Sequence, residues 1–162
     1  MISSIDINTN KQTNSQTIDL SNYFCLPGLI DMHTHISEAS SGDLIEFYTM
    51  TQEDQLKVGR VNVEKTLKAG FTTVRDLGVY IAWTDKKLRD EINADKIPGP
   101  RMKVSGYYLS IPGGGGDVAV PGYEGKIPDQ IRRGITKGVD NFRERAEKLV
   151  SGGADQIKLI AL

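Results

Sequence analysis

The sequence of 162 residues predicts an α/β fold in which four β-strands alternate with three α-helices. Short apolar or β-branched segments alternate with longer amphipathic ones, and glycine or proline separates most of them. This alternation favours a parallel sheet with right-handed crossovers. Four such strands fit either a small doubly wound domain or the first half of a (β/α)8 barrel.

The first predicted strand follows Pro27 and Gly28. Residues 23–32, YFCLPGLIDM, form an apolar run, and the part after Gly28 is typical of a short buried strand. Cys25 lies in this run, where we expect a small buried side chain, and as the only cysteine it excludes an intrachain disulfide. The polar residues 1–19 favour either an edge strand with a loop or a disordered tail.

The first predicted helix covers residues 51–69. Thr51 is a suitable N-cap, acidic residues follow it in the first turn, and Gly70 is a typical stop. An impure apolar stripe at helical spacing indicates the face that packs on the sheet. Its positions are Leu56, Gly59 or Arg60, Val63 and Leu67.

The remaining elements continue the alternation. Strands are predicted at 71–78, 101–109 and 154–162, and helices at 84–94 and 129–150. Asp129 is the expected N-cap of the last helix, and one apolar side of this helix should pack on the sheet. That side contains Ile131, Ile135, Val139, Phe142, Ala146, Leu149 and Val150.

The composition argues against several classes of function. With 20 basic and 21 acidic side chains the formal net charge is −1, which gives no electrostatic reason to expect nucleic acid or an anionic membrane as a partner. No apolar run of about 18 residues is present, so no membrane span is expected. The opening MISSIDINTNKQTNSQ does not have the pattern of a secretory signal, and we expect a cytoplasmic location.

Both histidines of the chain, His33 and His35, lie at the end of the first predicted strand. Alternate residues of a strand point to the same face, so the two imidazoles should project together, about 6.6 Å apart along the strand. Such a pair can bind one divalent metal ion, and Asp31, which has the same parity, could support the ligands. The alternative is a polar strand end whose histidines contact water or each other.

Parallel strands would bring further polar residues to the same edge of the sheet. Asp76 lies at the end of the second predicted strand, and Lys158 lies near the end of the fourth. The carboxyl ends of parallel strands share one edge, where α/β proteins place their chemistry. For Asp76 we expect a structural role, such as an ion pair with Arg75, ahead of the orientation of a ligand.

Four segments resemble the amidohydrolase superfamily, in the same order and at the expected distances. LPGLIDMHTH at 26–35 is similar to the PGxIDxHxH stretch on the first barrel strand of that superfamily. The similarity continues through AGFTTVRDLG at 69–78, INADKIPGPRMKVSG at 92–106 and GGADQIKLIAL at 152–162. The resemblance is to the branch that contains imidazolonepropionase-like enzymes and metal-dependent Xaa-Pro dipeptidases (prolidases).

The resemblance implies a metal centre that includes His33, His35 and Lys158. The two histidines match the ligands of the first strand, and Lys158 matches a fourth-strand lysine that becomes carboxylated. A carbamate is an anion with two oxygens, which can bridge two metal ions about 3.5–4 Å apart. The implied cofactor is a divalent metal, zinc first, as one or two ions, with manganese or another divalent ion as the alternative.

Three features depart from the family pattern. The relatives take two more histidine ligands and a catalytic aspartate from later strands, which we expect beyond Leu162, so no catalytic residue is assigned within this chain. The β-sandwich segment of the relatives is longer than what precedes His33. Gly115, in PGGGGD at 112–117, stands where many relatives have a histidine, and this run lacks the ending of a phosphate-binding loop.

The alternation of strands and helices, together with the resemblance, predicts the first half of a metal-dependent hydrolase (β/α)8 TIM barrel at residues 27–162. This half has four βα units and follows a β-sandwich remnant at 1–26. The expected reaction is hydrolysis of a C–N (amide or peptide) bond in a small molecule, with Xaa-Pro dipeptides as candidates. The alternatives are a non-catalytic metal-binding fragment and a folding unit that binds no metal. A half barrel leaves two strand edges and an apolar face uncovered, so self-association or a homo-oligomer is expected.

Overall fold

The computed structural model of the chain describes residues 18–38, 44–118 and 128–161. Within these ranges the paired strands are all parallel, and the predicted α/β class is confirmed. The strands are β1 Leu29–Thr34, β2 Phe71–Asp76, β3 Arg101–Lys103, β4 Leu109–Ser110 and β5 Leu159–Ile160. The helices are α1 Leu44–Thr49, α2 Gln52–Lys68, α3 Thr84–Asn93 and α4 Val139–Ser151.

The strands neighbour one another in chain order. One sheet has the order β1-β2-β3, and a second sheet consists of β4 and β5. An isolated parallel bridge between Val79 and Tyr107 lies between the two sheets. It continues the contact between the second and third predicted strands. β3 and β4 are therefore two parts of one predicted strand, and the succession of segments is that of consecutive βα units.

The third predicted strand is interrupted, which corrects the continuous strand expected at 101–109. The buried carboxylate of Asp85, in α3, accepts hydrogen bonds from the backbone N–H groups of Ser105 and Gly106, at 3.0 and 2.8 Å. Gly106 also has a positive φ of 67°, which turns the chain out of the extended conformation. Because a side chain takes these N–H groups, they do not pair with a neighbouring strand. The fourth predicted strand is shorter than expected as well, since β5 covers only 159–160.

Helix α2 begins and ends where the sequence predicts. The Thr51 hydroxyl accepts a hydrogen bond from the N–H of Asp54 at 3.2 Å, and Gly70 follows the helix with a φ of 95°. A Cβ atom at Gly59 would lie 2.3 Å from Cδ1 of Leu88, so the glycine allows α2 and α3 to pack closely. The buried residues of α2 are Gln55, Leu56, Gly59 and Val63. α3 lies within one residue of its predicted bounds, whereas α1 was not predicted.

Two apolar clusters hold the helices against the strands. The first joins α2 and α3 to the β1-β2-β3 sheet, and the second joins α4 to the third predicted strand. These three helices are therefore fixed next to the strands that they connect. The first contains Ile36, Leu56, Val63, Val74, Leu88, Met102 and Val104. The second contains Ala82, Tyr107, Leu109 and Leu149, with Trp83, Phe142, Ala146 and Ala154 around them.

Residues 129–138 form turns, so the first half of the helix predicted at 129–150 is wrong. The Gly134 carbonyl accepts a hydrogen bond from Ser110 N–H at 3.2 Å, and a Cβ at Gly134 would lie 1.8 Å from the Tyr108 carbonyl oxygen. Gly138, with a φ of 89°, then precedes α4. These glycines let the chain run beside β4 before the helix begins, and Asp129 is not its N-cap. Val139 and Val150 of the predicted apolar side are 73% and 61% exposed.

β1 lies at the edge of its sheet and is not the buried strand that the sequence predicts. Leu29 and Ile30 are 54% and 61% exposed, because β2 is the only described strand that pairs with β1. Cys25, expected to be buried, is exposed. Residues 1–17 lie outside the described ranges, so the domain boundary after residue 26 and the β-sandwich remnant stay predictions. In the described part, no helix has the length and apolar character needed to cross a membrane.

Candidate metal centre

The two histidines lie side by side at the carboxyl end of β1. The centroids of the His33 and His35 rings are 5.5 Å apart, and the ring planes meet at 63°. This edge-to-face contact places both imidazoles on one side of the strand, as the alternation of side chains predicts. His33 is exposed and His35 is partly buried, so the pair faces outwards from the sheet edge.

The ring of His35 is held by the backbone that follows β2. Its Nδ1 atom lies 3.0 Å from the carbonyl oxygen of Gly78, and this acceptor requires that Nδ1 carry the hydrogen. The other nitrogen, Nε2, then has its lone pair available. A ligating histidine in a protein is usually oriented by such a hydrogen bond, so the arrangement fits a metal bound at Nε2.

Asp76 fixes the backbone on both sides of this hydrogen bond. Its carboxylate accepts from the N–H of Ile36 at 2.7 Å and from the N–H of Gly78 at 3.3 Å. The expected ion pair with Arg75 does not form in this structure, because the Arg75 Nε–H donates to the Met32 carbonyl at 2.7 Å. The role of Asp76 is therefore structural, as expected, but it acts on the segments around His35.

Of the two carboxyl groups near His35, Asp76 is fully buried and Glu38 is partly buried. Burial, and after it the neighbouring carboxylate of Asp85, raises the pKa of Asp76 well above its ordinary value, while the two backbone N–H donors oppose this shift. Burial also raises the pKa of Glu38, against the lowering effect of His35. The two backbone hydrogen bonds that Asp76 accepts are thus buried, where they are stronger than in water.

The contacts of two acidic residues near the pair, Glu38 and Asp31, differ from those that the sequence predicts. A Glu38 carboxylate oxygen lies 3.6 Å from Nδ1 of His35, on the nitrogen already hydrogen-bonded to Gly78. The spacing His-x-x-Glu from His35 to Glu38 is the sequence signal that could indicate this contact. Asp31, expected to support a histidine ligand, accepts from the backbone N–H of His33 at 2.9 Å and so stabilises the chain rather than a ring.

Lys158 lies just before β5, and the structure shows no contact that joins it to the histidines within the described ranges. Its carbonyl accepts from the N–H of Leu109 at 2.9 Å, which fixes its backbone beside β4. The flanking Ile157 and Leu159 are 43% and 56% exposed, so they do not enclose the lysine in an apolar environment in this part of the chain. Among the described residues, no three His, Cys, Asp or Glu side chains are arranged to hold a metal ion. The structure thus brings His33 and His35 together, and their role as metal ligands stays a prediction.

Comparison with known proteins relates this chain to one family. The profile of the amidohydrolase family matches residues 24–160. The solved structure of an amidohydrolase is 29% identical, with a TM-score of 0.76, over 92% of this chain and 37% of that protein. A Xaa-Pro dipeptidase with methionine bound in the active site is 31% identical, with a TM-score of 0.65, over 82% of this chain and 33% of that protein.

A third structure extends the similarity to the prolidases. A prolidase complexed with N-methylphosphonate-L-proline is 28% identical, with a TM-score of 0.68, over 89% of this chain and 37% of that protein. A comparison with curated protein sequences finds no match. The chain spans about a third of the length of these solved structures. Because the family profile covers most of the sequence, the chain belongs to the amidohydrolase family.

Proposed function

We propose that this chain supplies the first-strand part of the metal centre of a hydrolase that cleaves C–N bonds, with Xaa-Pro dipeptides as the substrate class. The observation that carries the proposal is the hydrogen bond from His35 Nδ1 to the Gly78 carbonyl, beside the ring of His33. The likeness to a Xaa-Pro dipeptidase and a prolidase supports the substrate class. When bound, a divalent ion supplies Lewis acidity and an activated water.

The proposed ligands are His33, His35 through Nε2, and Lys158 as its carbamate. Zinc is the expected metal, as one or two ions, and manganese is the alternative. Carboxylation gives Lys158 the anionic oxygens that an ammonium group lacks. The predicted four βα units would then form the first half of a (β/α)8 barrel, whose carboxyl edge holds the site.

For the chain by itself we expect metal binding without significant turnover. Two imidazoles and one lysine do not complete a hydrolytic centre that also needs a proton shuttle, and among the described residues no third His, Cys, Asp or Glu is arranged with the pair to hold a metal ion. The same observation favours the second candidate function, a metal-binding unit without catalysis of its own. Incubation with alanyl-proline and zinc or manganese decides: dipeptide hydrolysis by this chain would contradict the expectation.

Zinc titration by calorimetry tests the histidine ligands. The exposed thiol of Cys25 is a competing ligand, so all measurements use the Cys25→Ser background. His33→Gln and His35→Gln should each weaken zinc binding by at least about tenfold, since loss of supporting groups alone costs that much. Lys65→Met, an exposed position in α2, is the matched control and should bind as the parent does. Equal affinity in all variants would overturn the assignment.

Carbamate formation tests Lys158 separately. We expect a carbamate signal in the ¹³C NMR spectrum when the zinc-loaded chain is incubated with ¹³C-bicarbonate. Lys158→Met should lose this signal and Lys65→Met should keep it. A signal that survives in Lys158→Met would refute the role of this lysine, while the histidine assignment would stand on the calorimetry.

The exposed apolar residues support the expectation of self-association. Phe24 and Leu26 are 100% and 80% exposed, next to the open edge of β1. Sedimentation velocity over a range of concentrations should show species larger than 17.8 kDa. A monomer at all concentrations would contradict this part of the proposal.

A further inference from the structure

A cavity of about 510 Å³ lies between the start of α3 and the length of α4. Basic side chains form one side of it, from Arg133, Arg145 and Lys148, and the rings of Trp83 and Tyr107 form the other. Its volume is in the range of small-molecule sites. None of these residues belongs to the proposed metal centre, and the helices that enclose the cavity both lie in the described part of the chain.

The basic side of the cavity has an unsatisfied hydrogen-bond donor. The Arg145 Nε atom is buried and has no hydrogen-bond partner among the described residues, while Nη1 of the same guanidinium donates to the Arg133 carbonyl. Lys148 pairs with Glu144, but within the described ranges neither Arg133 nor Arg145 makes an ion pair, and no acidic residue lines the cavity. The cavity thus has a positively charged lining without a carboxylate, which favours the binding of an anion.

The aromatic side of the cavity is rigidly built. Trp83 has a positive φ of 72°, an unusual conformation for a bulky residue, and its ring meets that of Tyr107 edge to face at 6.4 Å. A Cβ at Gly152 would lie 2.3 Å from the Trp83 ring, so this glycine makes room for the indole at the end of α4. The strained backbone and the close packing hold the Trp83 ring against Tyr107 in the lining of the cavity.

We propose that this cavity binds a small organic anion, a carboxylate or a phosphate ester attached to an aromatic group. Guanidinium groups bind both kinds of oxyanion through paired, charge-assisted hydrogen bonds. The apolar part of the ligand packs on the ring of Trp83, since Tyr107 is only 6% exposed. The anion accepts hydrogen bonds from the guanidinium groups of Arg133 and Arg145, which line the cavity.

The binding test uses the fluorescence of Trp83, the only tryptophan of the chain. The probes are phenyl phosphate and benzoate, with inorganic phosphate as the anion that has no aromatic group, all at matched ionic strength. Phenyl phosphate and benzoate should change the emission saturably, and inorganic phosphate should bind at least about tenfold more weakly because it cannot pack on the ring. The proposal is overturned if neither aromatic probe gives a saturable change, or if inorganic phosphate binds as well as phenyl phosphate.

Variants of the basic side separate specific binding from general attraction. Arg145→Met and Arg133→Met should each weaken phenyl phosphate binding by about tenfold or more. Arg143→Met is the control, because Arg143 is exposed on α4, pairs with Asp140 and does not line the cavity. Circular dichroism confirms that each variant is folded, and the exposed Arg133 serves if Arg145→Met unfolds. Equal weakening in Arg143→Met would refute a built site.

Discussion

Replacing Asp76 by leucine removes the acceptor that holds the backbone around His35. Asp76 is fully buried, and its two carboxylate oxygens accept from the N–H groups of Ile36 and Gly78. Leucine has a similar branched shape but no acceptor. The perturbation therefore acts on two backbone donors while the size of the side chain changes little.

The cost of the leucine substitution follows from the two donors that lose their partner. Each buried N–H group without an acceptor costs about 1–3 kcal/mol, so we expect Asp76→Leu to lower the free energy of unfolding by about 2–6 kcal/mol. Asp76→Asn keeps one acceptor oxygen, which can serve the shorter bond to Ile36, and should cost about half as much. A domain of this kind is stable by about 5–15 kcal/mol, so the leucine variant could lose much of its stability.

Urea denaturation followed by circular dichroism measures both variants, with Asp95→Asn as the matched control. Asp95 is exposed and has a φ of 55°, a conformation that asparagine also adopts, so its replacement should change stability by less than about 0.5 kcal/mol. The ¹⁵N spectrum of the two imidazoles should also show that His35 loses its single tautomer in Asp76→Leu. The reasoning is refuted if Asp76→Leu is as stable as the parent and the His35 signals do not move.

Three further perturbations address an ion pair, a close contact and the metal. The Arg60 guanidinium donates to both carboxylate oxygens of Glu91, at 2.8 and 2.7 Å, and Glu91→Gln should cost about 1 kcal/mol at neutral pH. Because these bonds hold the pKa of Glu91 below its ordinary value, the stability contributed by the pair should disappear in urea melts as the pH falls through the lowered pKa. A destabilisation by Glu91→Gln that persists in acid would contradict this. Gly134→Ala brings a Cβ to 1.8 Å from the Tyr108 carbonyl and should cost about 1–3 kcal/mol in a thermal melt, whereas an unchanged melt would contradict the close contact. Removing zinc with a chelator should lower the Tm of the parent, which corresponds to a loss of about 2.7 kcal/mol of stability when zinc was at a hundredfold excess over Kd. His35→Gln, if it binds tenfold more weakly, should lose only about 1.4 kcal/mol at the same zinc concentration.

The parts of the fold that could be predicted are those specified by neighbouring residues. Helix α2 follows from Thr51, its acidic first turn and Gly70, all within the segment itself. Residues 129–138, where a helix was wrongly predicted, also have apolar residues at helical spacing. Gly134, however, packs against the backbone carbonyl of Tyr108. That contact joins residues far apart in the sequence, so local periodicity could not reveal it.

The candidate site divides in the same way. The common direction of His33 and His35 follows from the alternation of a strand, and the contact of their rings agrees with it. The groups that position His35, Gly78 and Asp76, lie about 40 residues further along the chain, and only the folded sheet brings them together. Lys158 was assigned by resemblance alone, and its role stays a prediction.

The position of β1 at the sheet edge connects metal affinity to local opening of the strand. With β2 as its only described neighbour, β1 should exchange its amide hydrogens faster than β2 does, since fewer contacts break when it opens. A metal ion that needs both imidazoles in place favours the closed strand, and so does any surface that covers the edge. Such a linkage is reciprocal. A partner surface that covers β1 would raise the metal affinity by the same factor by which bound metal raises the affinity of that surface for β1. A surface that covers β1 should therefore lower the dissociation constant of a metal ion bound by this pair of histidines.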